Sequence, residues 1–165
     1  MKILTLDFEG CITNGIREIG GIISNESDFL EVYNFNNLNE REVKNYLQEI
    51  LSGDIEFIIG HNISTEKNLL KKYLPYPVKK NLFKKLEWGP WLDTKKMYAK
   101  LYPNLKKYDL KNLTDLFINS EINNLSKKYC NKKNSSFHNA LYDALCTFLL
   151  YKRLSKDINI IKFLE

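Results

Sequence analysis

The sequence predicts an α/β domain in which a mixed sheet of about five strands is flanked by helices. Two observations lead to this fold class: three strand-like segments follow one another near the start, and a further strand then alternates with helices. The 165 residues contain no internal repeat or low-complexity tract, and they suffice for a sizeable hydrophobic core. We therefore expect a single domain over residues 1–165.

The predicted strands are short apolar segments. The first contains the run Ile3-Leu4-Thr5-Leu6, which is too short for a helix and is soon followed by Gly10. A second buried strand is indicated later by Glu56-Phe57-Ile58-Ile59-Gly60. The strands are predicted at Lys2 to Phe8, Gly15 to Ile23, Phe29 to Phe35 and Glu56 to Ile59.

The predicted helices occupy most of the rest of the chain. Pro103 stops the third of them. The last and longest carries one apolar stripe, formed by Leu141, Leu145, Phe148 and Leu149. The helices are predicted at Glu40 to Leu51, Thr65 to Tyr73, Thr94 to Leu101, Leu110 to Phe117, Ile122 to Tyr129 and Ala140 to Leu154.

The first strand ends in Asp7-Phe8-Glu9. Side chains alternate along a strand, so Asp7 and Glu9 share one face and repel each other unless a cation lies between them. Mg²⁺ prefers oxygen ligands and takes one or two carboxylates together with phosphate oxygens. The pair favours a metal site, although so short a motif also recurs by accident as two solvated acids.

Two further segments place acids beside the only two histidines of the chain. His61 and Asn62 follow the buried strand, and Glu66 lies in the first turn of the next helix, where the helix dipole alone would favour an acid. His138 precedes Asp143 by five residues, which places it on the loop before the last helix. There it could take a proton from water, or it could simply be a histidine satisfied by a backbone carbonyl.

The order of these motifs resembles the DEDDh family of 3′–5′ exonucleases, kin of the proofreading subunit of bacterial replicative polymerases. The resemblance rests on D-x-E at Asp7, G-H-N-x-x-x-acid ending at Glu66, and H-x-x-x-x-D ending at Asp143. It extends over Met1 to about Leu154, because intervening segments are also similar to the family. Ile16 to Ile23 resembles its second strand, Trp91 to Thr94 its aspartate-threonine helix start, and Lys107 to Leu113 its later short helix entry.

The resemblance implies a ribonuclease-H-like mixed sheet and a two-metal exonuclease that releases nucleoside 5′-monophosphates from 3′ ends of single-stranded DNA or RNA, with DNA favoured. His138 would be the general base for the attacking water. Two ions, Mg²⁺ or Mn²⁺, would be held by Asp7, Glu9, Glu66 and Asp143. The terminal nucleotide would be bound by Gly10, Cys11, Ile12, His61 and Asn62. A polymerase is a candidate partner.

Glu66 departs from the family's pattern, which usually has aspartate there and an aromatic residue where this chain has Thr65. Glutamate keeps the charge but moves the carboxylate by about 1.5 Å, one bond length. Because Mg²⁺ demands near-ideal octahedral geometry, the change could loosen one metal site or favour Mn²⁺. The alternative function is therefore a catalytically weak or silent nucleic-acid-binding or polymerase-associated subunit with the same fold. Retained activity ranks first, since all four carboxylates and the histidine are present.

The net charge of +5 gives a mild attraction for polyanions. Almost all basic residues are lysines, which suit contact with a phosphate backbone better than recognition of bases. Two basic stretches are candidates for gripping substrate, and the second lies closer to the predicted chemistry. They are Lys71 to Lys85, where lysines alternate with aromatic residues, and Lys127 to Lys133.

The three cysteines, Cys11, Cys130 and Cys146, form no C-x-x-C motif. An odd number of widely spaced cysteines argues against a zinc site and a disulfide framework, so we expect a reducing, cytoplasmic location. We expect no signal segment and no membrane association, because no apolar run approaches transmembrane length. The apolar tail Ile158 to Leu164 is expected to pack onto the core, with docking of a partner as the alternative.

Overall fold

The structure, a computed structural model, describes residues 2–25, 28–74, 79–80, 86–87, 89–131 and 135–165. Its strands are β1 (Ile3–Cys11), β2 (Gly15–Ser24), β3 (Phe29–Asn36), β4 (Phe57–Gly60), β5 (Lys79–Lys80), β6 (Leu86–Glu87) and β7 (Trp91–Asp93). Its helices are α1 (Glu40–Leu51), α2 (Ser64–Tyr73), α3 (Thr94–Leu101), α4 (Leu110–Phe117), α5 (Asn119–Tyr129) and α6 (Ala140–Ser155), followed by a short 3-10 helix (Ile160–Phe163).

Five strands form one mixed sheet in the order β3-β2-β1-β4-β7. The β1–β2 and β2–β3 pairs are antiparallel, whereas β4 is parallel to both β1 and β7. The β1–β4 pairing stops where Thr5 meets Ile59, so Asp7 and Glu9 extend beyond the end of the parallel pairs. In open α/β sheets this carboxyl edge is the usual place for a ligand.

The predicted ends of the helices agree best with the structure where adjacent residues cap the helix. Helices α1, α3 and α4 begin and end as predicted, and α1 starts with a capping box between Asn39 and Glu42. Helix α5 starts three residues earlier than predicted, because Ile118 both ends α4 and begins α5. Strand β7 was predicted only as part of a helix start, since three residues carry almost no strand pattern.

The sheet is covered on both faces. Along β1, Ile3 joins the core formed with α3 to α6, whereas Leu4, Leu6 and Phe8 join the core formed with α1 and α2. Helix α6 lies between the sheet and the other helices of its layer, so twelve of its sixteen residues are buried rather than the predicted single stripe. Neither α6 nor any other helix of the described residues is long and apolar enough to cross a membrane.

The C-terminal tail packs against the edge of the sheet, as expected. Trp91 and Glu165 exchange two backbone hydrogen bonds of 2.9 Å, and Leu92 forms an antiparallel bridge with Leu164. The tail thereby pairs with the free edge of β7, which would otherwise present unpaired backbone groups.

Helix α6 begins in direct backbone contact with β2 at Gly20. A Cβ atom on Gly20 would lie 2.1 Å from the carbonyl oxygen of Ala140 and 2.4 Å from the nitrogen of Leu141. Gly20 is also the residue that pairs with Asp7 across the β1–β2 ladder. The absence of a side chain at this position therefore sets how close the first turn of α6 comes to Asp7.

We predict that Gly20→Ala destabilises the fold by about 3 kcal/mol, because the clash is with backbone that cannot rotate away. The neighbouring Gly21→Ala is the matched control, since its Cβ would meet Tyr33 at an ordinary 3.5 Å. That variant should stay within about 1 kcal/mol of the wild type. Urea denaturation measures the free energy of unfolding of both variants, provided that the m value is unchanged. Equal midpoints for the two variants would contradict the role of Gly20.

Candidate metal centre

The site begins with Asp7 and Glu9 on the face of β1 that is covered by α6. The alternation of β1 places both on the same side as Ile3, which packs in the α6 core. Asp7 lies opposite Gly20 and Glu9 lies opposite Glu18 in the β1–β2 register. A bulge after Glu9 then interrupts the ladder.

The second part of the site is the start of α6. Asp143 lies in the first turn of the helix, and its Oδ2 accepts a hydrogen bond from the backbone N–H of His138 (3.2 Å). His138 has a left-handed backbone (φ 67°), which is unusual for a residue with a side chain and which this hydrogen bond supports. Ligand atoms of Glu9, His138 and Asp143 all lie within 4.8 Å of one another. The fold thus brings together two segments from opposite ends of the chain.

The remaining predicted ligand, Glu66, lies in the first turn of α2 and is only 6% exposed. Its Oε2 has no hydrogen-bond partner within the described part of the chain, and the same is true of Asp143 Oδ1. A buried carboxylate oxygen without a partner is costly, because it has lost its water and gained nothing in return. Two such oxygens in one acidic cluster indicate a place for a cation.

The acids of this cluster also disfavour one another's charge. Burial, followed by the charges of Asp143, Glu66 and Glu9, raises the pKa of Asp7 well above its usual range. Burial raises the pKa of both Glu66 and Asp143 to about 7, and the charge of Glu9 adds to each shift. The metal-free cluster therefore holds protons near neutral pH.

These residues fit a hard divalent cation. Glu9 and Asp143 supply oxygen donors, which Mg²⁺ and Mn²⁺ accept. Asp7 and Glu66 lie outside the 4.8 Å group, although their charges interact with those of its acids. A cation would reduce the repulsion among these carboxylates. The imidazole of His138 is exposed beside Glu9 and Asp143, where it can reach solvent. The arrangement can bind a cation and exchange a proton with water at the same edge of the sheet.

Asp93 holds the turn that presents Glu66. Its carboxylate accepts hydrogen bonds from the backbone N–H groups of Asn62 (2.9 Å) and Ile63 (3.4 Å), and it caps α3 through Lys95 (2.9 Å). Asp93 therefore ties the start of α2 to the start of α3. The sequence indicated only the helix start, because nothing local shows that the same carboxylate reaches across to α2.

Glu18 performs a similar task at α6, and its role was not foreseen. Its Oε2 accepts hydrogen bonds from the side-chain amide of Asn139 (3.3 Å) and the backbone N–H of Ala140 (3.4 Å). These donors stand at the N-terminus of α6, where the helix dipole favours a negative charge. The only sequence signal was its position in the strand that pairs with Glu9.

His61, predicted to contact substrate, lies at the end of β4 with both ring nitrogens engaged. Nε2 contacts the carbonyl of Tyr108 (3.0 Å), which can only accept, so this nitrogen carries the proton. Nδ1 lies 2.9 Å from the hydroxyl oxygen of Thr94, a hydroxyl that donates to the carbonyl of Gly60 (3.1 Å). Burial lowers the pKa of the ring to about 4. The neutral ring joins three segments, and its contact with substrate stays a prediction.

The other predicted substrate residues lie beside the acidic cluster. Gly10 forms the bulge after Glu9, and Cys11 and Ile12 follow it on the surface, with Ile12 59% exposed. Asn62 is exposed just before α2. Of the predicted basic stretches, residues 75–78, 81–85, 132 and 133 lie outside the described part of the chain.

Comparison with known proteins supports the architecture. No family model matches the chain, and no curated protein matches it. Among solved structures, the chain is similar to exonuclease X in complex with 5′-overhanging duplex DNA, with a TM-score of 0.61, 98% of this chain and 96% of that chain covered, and 16% sequence identity. The chain therefore shares the fold of that structure, which confirms the predicted fold class, a ribonuclease-H-like mixed sheet flanked by helices.

We predict that the metal-free protein loses stability as the pH rises from about 4 to about 7. Carboxyls of the unfolded chain release their protons near pH 4, whereas Glu66 and Asp143 keep theirs in the folded state until about pH 7. The folded state binds more protons in this window, so the free energy of unfolding falls with pH. In EDTA, Tm should fall by about 5 °C between pH 5 and pH 7.5.

Added Mg²⁺ or Mn²⁺ should remove most of this loss at pH 7.5, because it binds the deprotonated cluster of the folded state. Thermal unfolding in EDTA and in each metal measures the effect. The Asp143→Asn variant, which lacks one of the titrating carboxyls, is the control and should show a flatter pH profile in EDTA. A Tm that rises with pH in EDTA would contradict the prediction.

Proposed function

We propose that the protein is a metal-dependent 3′–5′ exonuclease of the DEDDh kind, which releases nucleoside 5′-monophosphates from single-stranded nucleic acid and prefers DNA to RNA. The observation that carries the proposal is the approach of Glu9, His138 and Asp143 to within 4.8 Å of one another, in an exonuclease fold. The order of motifs in the sequence supports the direction of cleavage by resemblance.

Two divalent ions would be held by Asp7, Glu9, Glu66 and Asp143. When bound, such ions supply charge stabilisation for the phosphate and an acidified water. His138 takes the proton of the attacking water, since its exposed ring can pass that proton on to solvent. The water oxygen forms a bond to phosphorus, the bond to the 3′ oxygen breaks, and that oxygen is protonated from solvent. Asp143 holds the His138 backbone in place during this step.

A nucleic-acid substrate is supported by three features. The structurally similar exonuclease X was solved with a 5′-overhanging duplex DNA, and the present chain has a net charge of +5. The exposed segment after Glu9, from Gly10 to Ile12, offers backbone and an apolar side chain beside the acids. A sugar and base bound there would leave the adjoining phosphate at the cluster.

The alternative is a catalytically weak or silent nucleic-acid-binding subunit of the same fold, including one that works beside a polymerase. Glu66 and Thr65 motivate it, because the family usually has the shorter aspartate and an aromatic residue at these two positions. A silent subunit would bind divalent ions and oligonucleotides but would show no turnover. Metal-dependent stabilisation without cleavage would therefore favour the alternative.

The function is tested by digestion of matched 5′-labelled single-stranded DNA and RNA with Mg²⁺ and then Mn²⁺. We predict a ladder that shortens from the 3′ end, faster for DNA. Asp143→Asn should abolish it, because a neutral amide replaces one of the negatively charged carboxylates through which Mg²⁺ is bound. In EDTA this variant should fold at least as stably as the wild type, since one repelling charge is gone. Wild-type cleavage by Asp143→Asn would reject the metal-site model.

We predict that His138→Ala reduces kcat by about 10²–10⁴-fold, the usual contribution of a general base. Metal-dependent stabilisation should remain, since the four carboxylates are intact. The activity of the variant should rise further with pH than that of the wild type, because hydroxide replaces the missing base. Single-turnover rates from pH 5.5 to 9 measure this, and an unchanged rate would remove His138 from the mechanism.

A further inference from the structure

A basic groove lies between the start of α1 and the end of α2, outside the acidic cluster. Its volume is about 650 Å³, and it is lined by Asn39, Glu40, Arg41, Lys44, Lys72 and Tyr73. Three of these six residues are cations and only one is an acid. Arg41 and Lys44 are three residues apart on α1 and so lie on the same face of the helix.

The groove adjoins the segment that follows Glu9. Lys72 Nζ donates a hydrogen bond to the carbonyl of Ile12 (3.1 Å), and the hydroxyl of Tyr73 accepts one from the backbone N–H of Ile16 (3.0 Å). Tyr73 also packs so closely on Gly15 that a Cβ there would clash with its hydroxyl. One wall of the groove is therefore fixed to the β1–β2 turn, and an exposed surface leads from Glu9 over residues 11–14 to the cations.

The distance from Glu66 to Lys72, the cation that α2 contributes to the groove, suits a polynucleotide. Glu66 and Lys72 are six residues apart on α2, which corresponds to about 9 Å along the helix axis. Neighbouring phosphates of an extended strand are separated by about 6–7 Å, since each nucleotide adds six backbone bonds, so this distance spans one or two nucleotides. A strand with its end at the cluster can place its next phosphates at the groove.

The cations of the groove are available to a ligand. Arg41 and Lys44 are exposed, and neither forms an ion pair with any residue that the structure describes. Lys72 contacts a neutral carbonyl and lies 5.6 Å from the centre of the Tyr73 ring, so its charge is not neutralised. Glu40 is the single acid of the lining, which leaves the groove positive.

We propose that this groove binds the sugar–phosphate backbone of the substrate strand, one to a few nucleotides from the end that is cleaved. The proposal rests on the proposed nuclease function. The groove offers point charges and one arginine but no exposed aromatic platform, so it grips phosphates without selecting bases. Its occupant is a polynucleotide rather than a mononucleotide, since a mononucleotide at the cluster would not reach it.

The test compares the double variant Arg41→Gln/Lys44→Gln with Lys156→Gln/Lys162→Gln. The control pair removes the same charge from exposed lysines near the other end of α6 and in the 3-10 helix. Both variants should unfold at the wild-type urea midpoint. Binding of fluorescein-labelled dT4 and dT12 is measured by anisotropy in EDTA, which prevents turnover, between 50 and 200 mM salt.

We expect the groove variant to bind dT12 about tenfold more weakly near 0.1 M salt. The slope of the logarithm of the binding constant against the logarithm of the salt concentration should be smaller in magnitude by about 1.4, because two phosphate contacts are lost. Binding of dT4 should weaken as well, because its three internucleotide phosphates extend beyond the one or two nucleotides that separate the cluster from the groove. The control should match the wild type with both oligonucleotides.

Three outcomes would overturn the proposal: an unchanged dT12 affinity, an equal loss in the control variant, or binding of a poly-glutamate peptide that depends on Arg41 and Lys44 while dT12 binding does not.

Failure of the proposed nuclease function gives a different set of results from failure of the groove proposal. If the groove variant loses dT12 affinity but the wild type never cleaves with Mg²⁺ or Mn²⁺, the groove stands and the nuclease assignment fails. If the wild type cleaves and the groove variant cleaves dT4 and dT12 equally well, the nuclease assignment stands and the groove proposal fails.

Discussion

The contact between the first turn of α6 and Gly20 of β2 is the constraint on which the site depends. Because no side chain separates Ala140 from the strand, the helix comes close enough to place Asp143 beside residues of β1. Glu18 reinforces this contact by accepting hydrogen bonds from the helix start. A metal centre built from two ends of a chain needs such a fixed approach, since a ligand misplaced by 1 Å is no longer a ligand for Mg²⁺.

The same close approach concentrates negative charge, and the rest of the structure compensates for it. Burial and mutual repulsion raise the pKa values of Asp7, Glu66 and Asp143, so the folded state holds them at a cost in free energy. The hydrophobic cores on both faces of the sheet offset this cost. Such local instability inside a well-packed frame is typical of functional sites, where a ligand and not the fold satisfies the charges.

The sequence predicted those helices and strands whose signal lies in adjacent residues. It did not predict features that depend on contacts between residues distant along the chain. Asn39 and Asp109 cap their own helices, so α1 and α4 could be placed from a few adjacent residues. Strand β7 is defined by pairing with β4, which no local pattern of three residues reveals. In the site, the resemblance predicted one cluster of Asp7, Glu9, Glu66, His138 and Asp143. The structure brings the ligand atoms of three of them, Glu9, His138 and Asp143, within 4.8 Å of one another. The bridging hydrogen bonds of Glu18 and Asp93 escaped prediction, because each joins elements that are distant along the chain.

An acidic metal centre and a basic groove solve complementary parts of one physical problem. Carboxylates that bind cations repel a polyanion until those cations are present, so the centre by itself contributes little to holding a strand. Cations placed one or two nucleotides away can retain the strand without neutralising the carboxylates that must bind metal. Arg41 and Lys44 meet this requirement, because α1 packs on the face of the sheet opposite α6 and their cations belong to a different helix layer from Asp143. Retention of the strand and binding of metal can then be tuned independently by substitution.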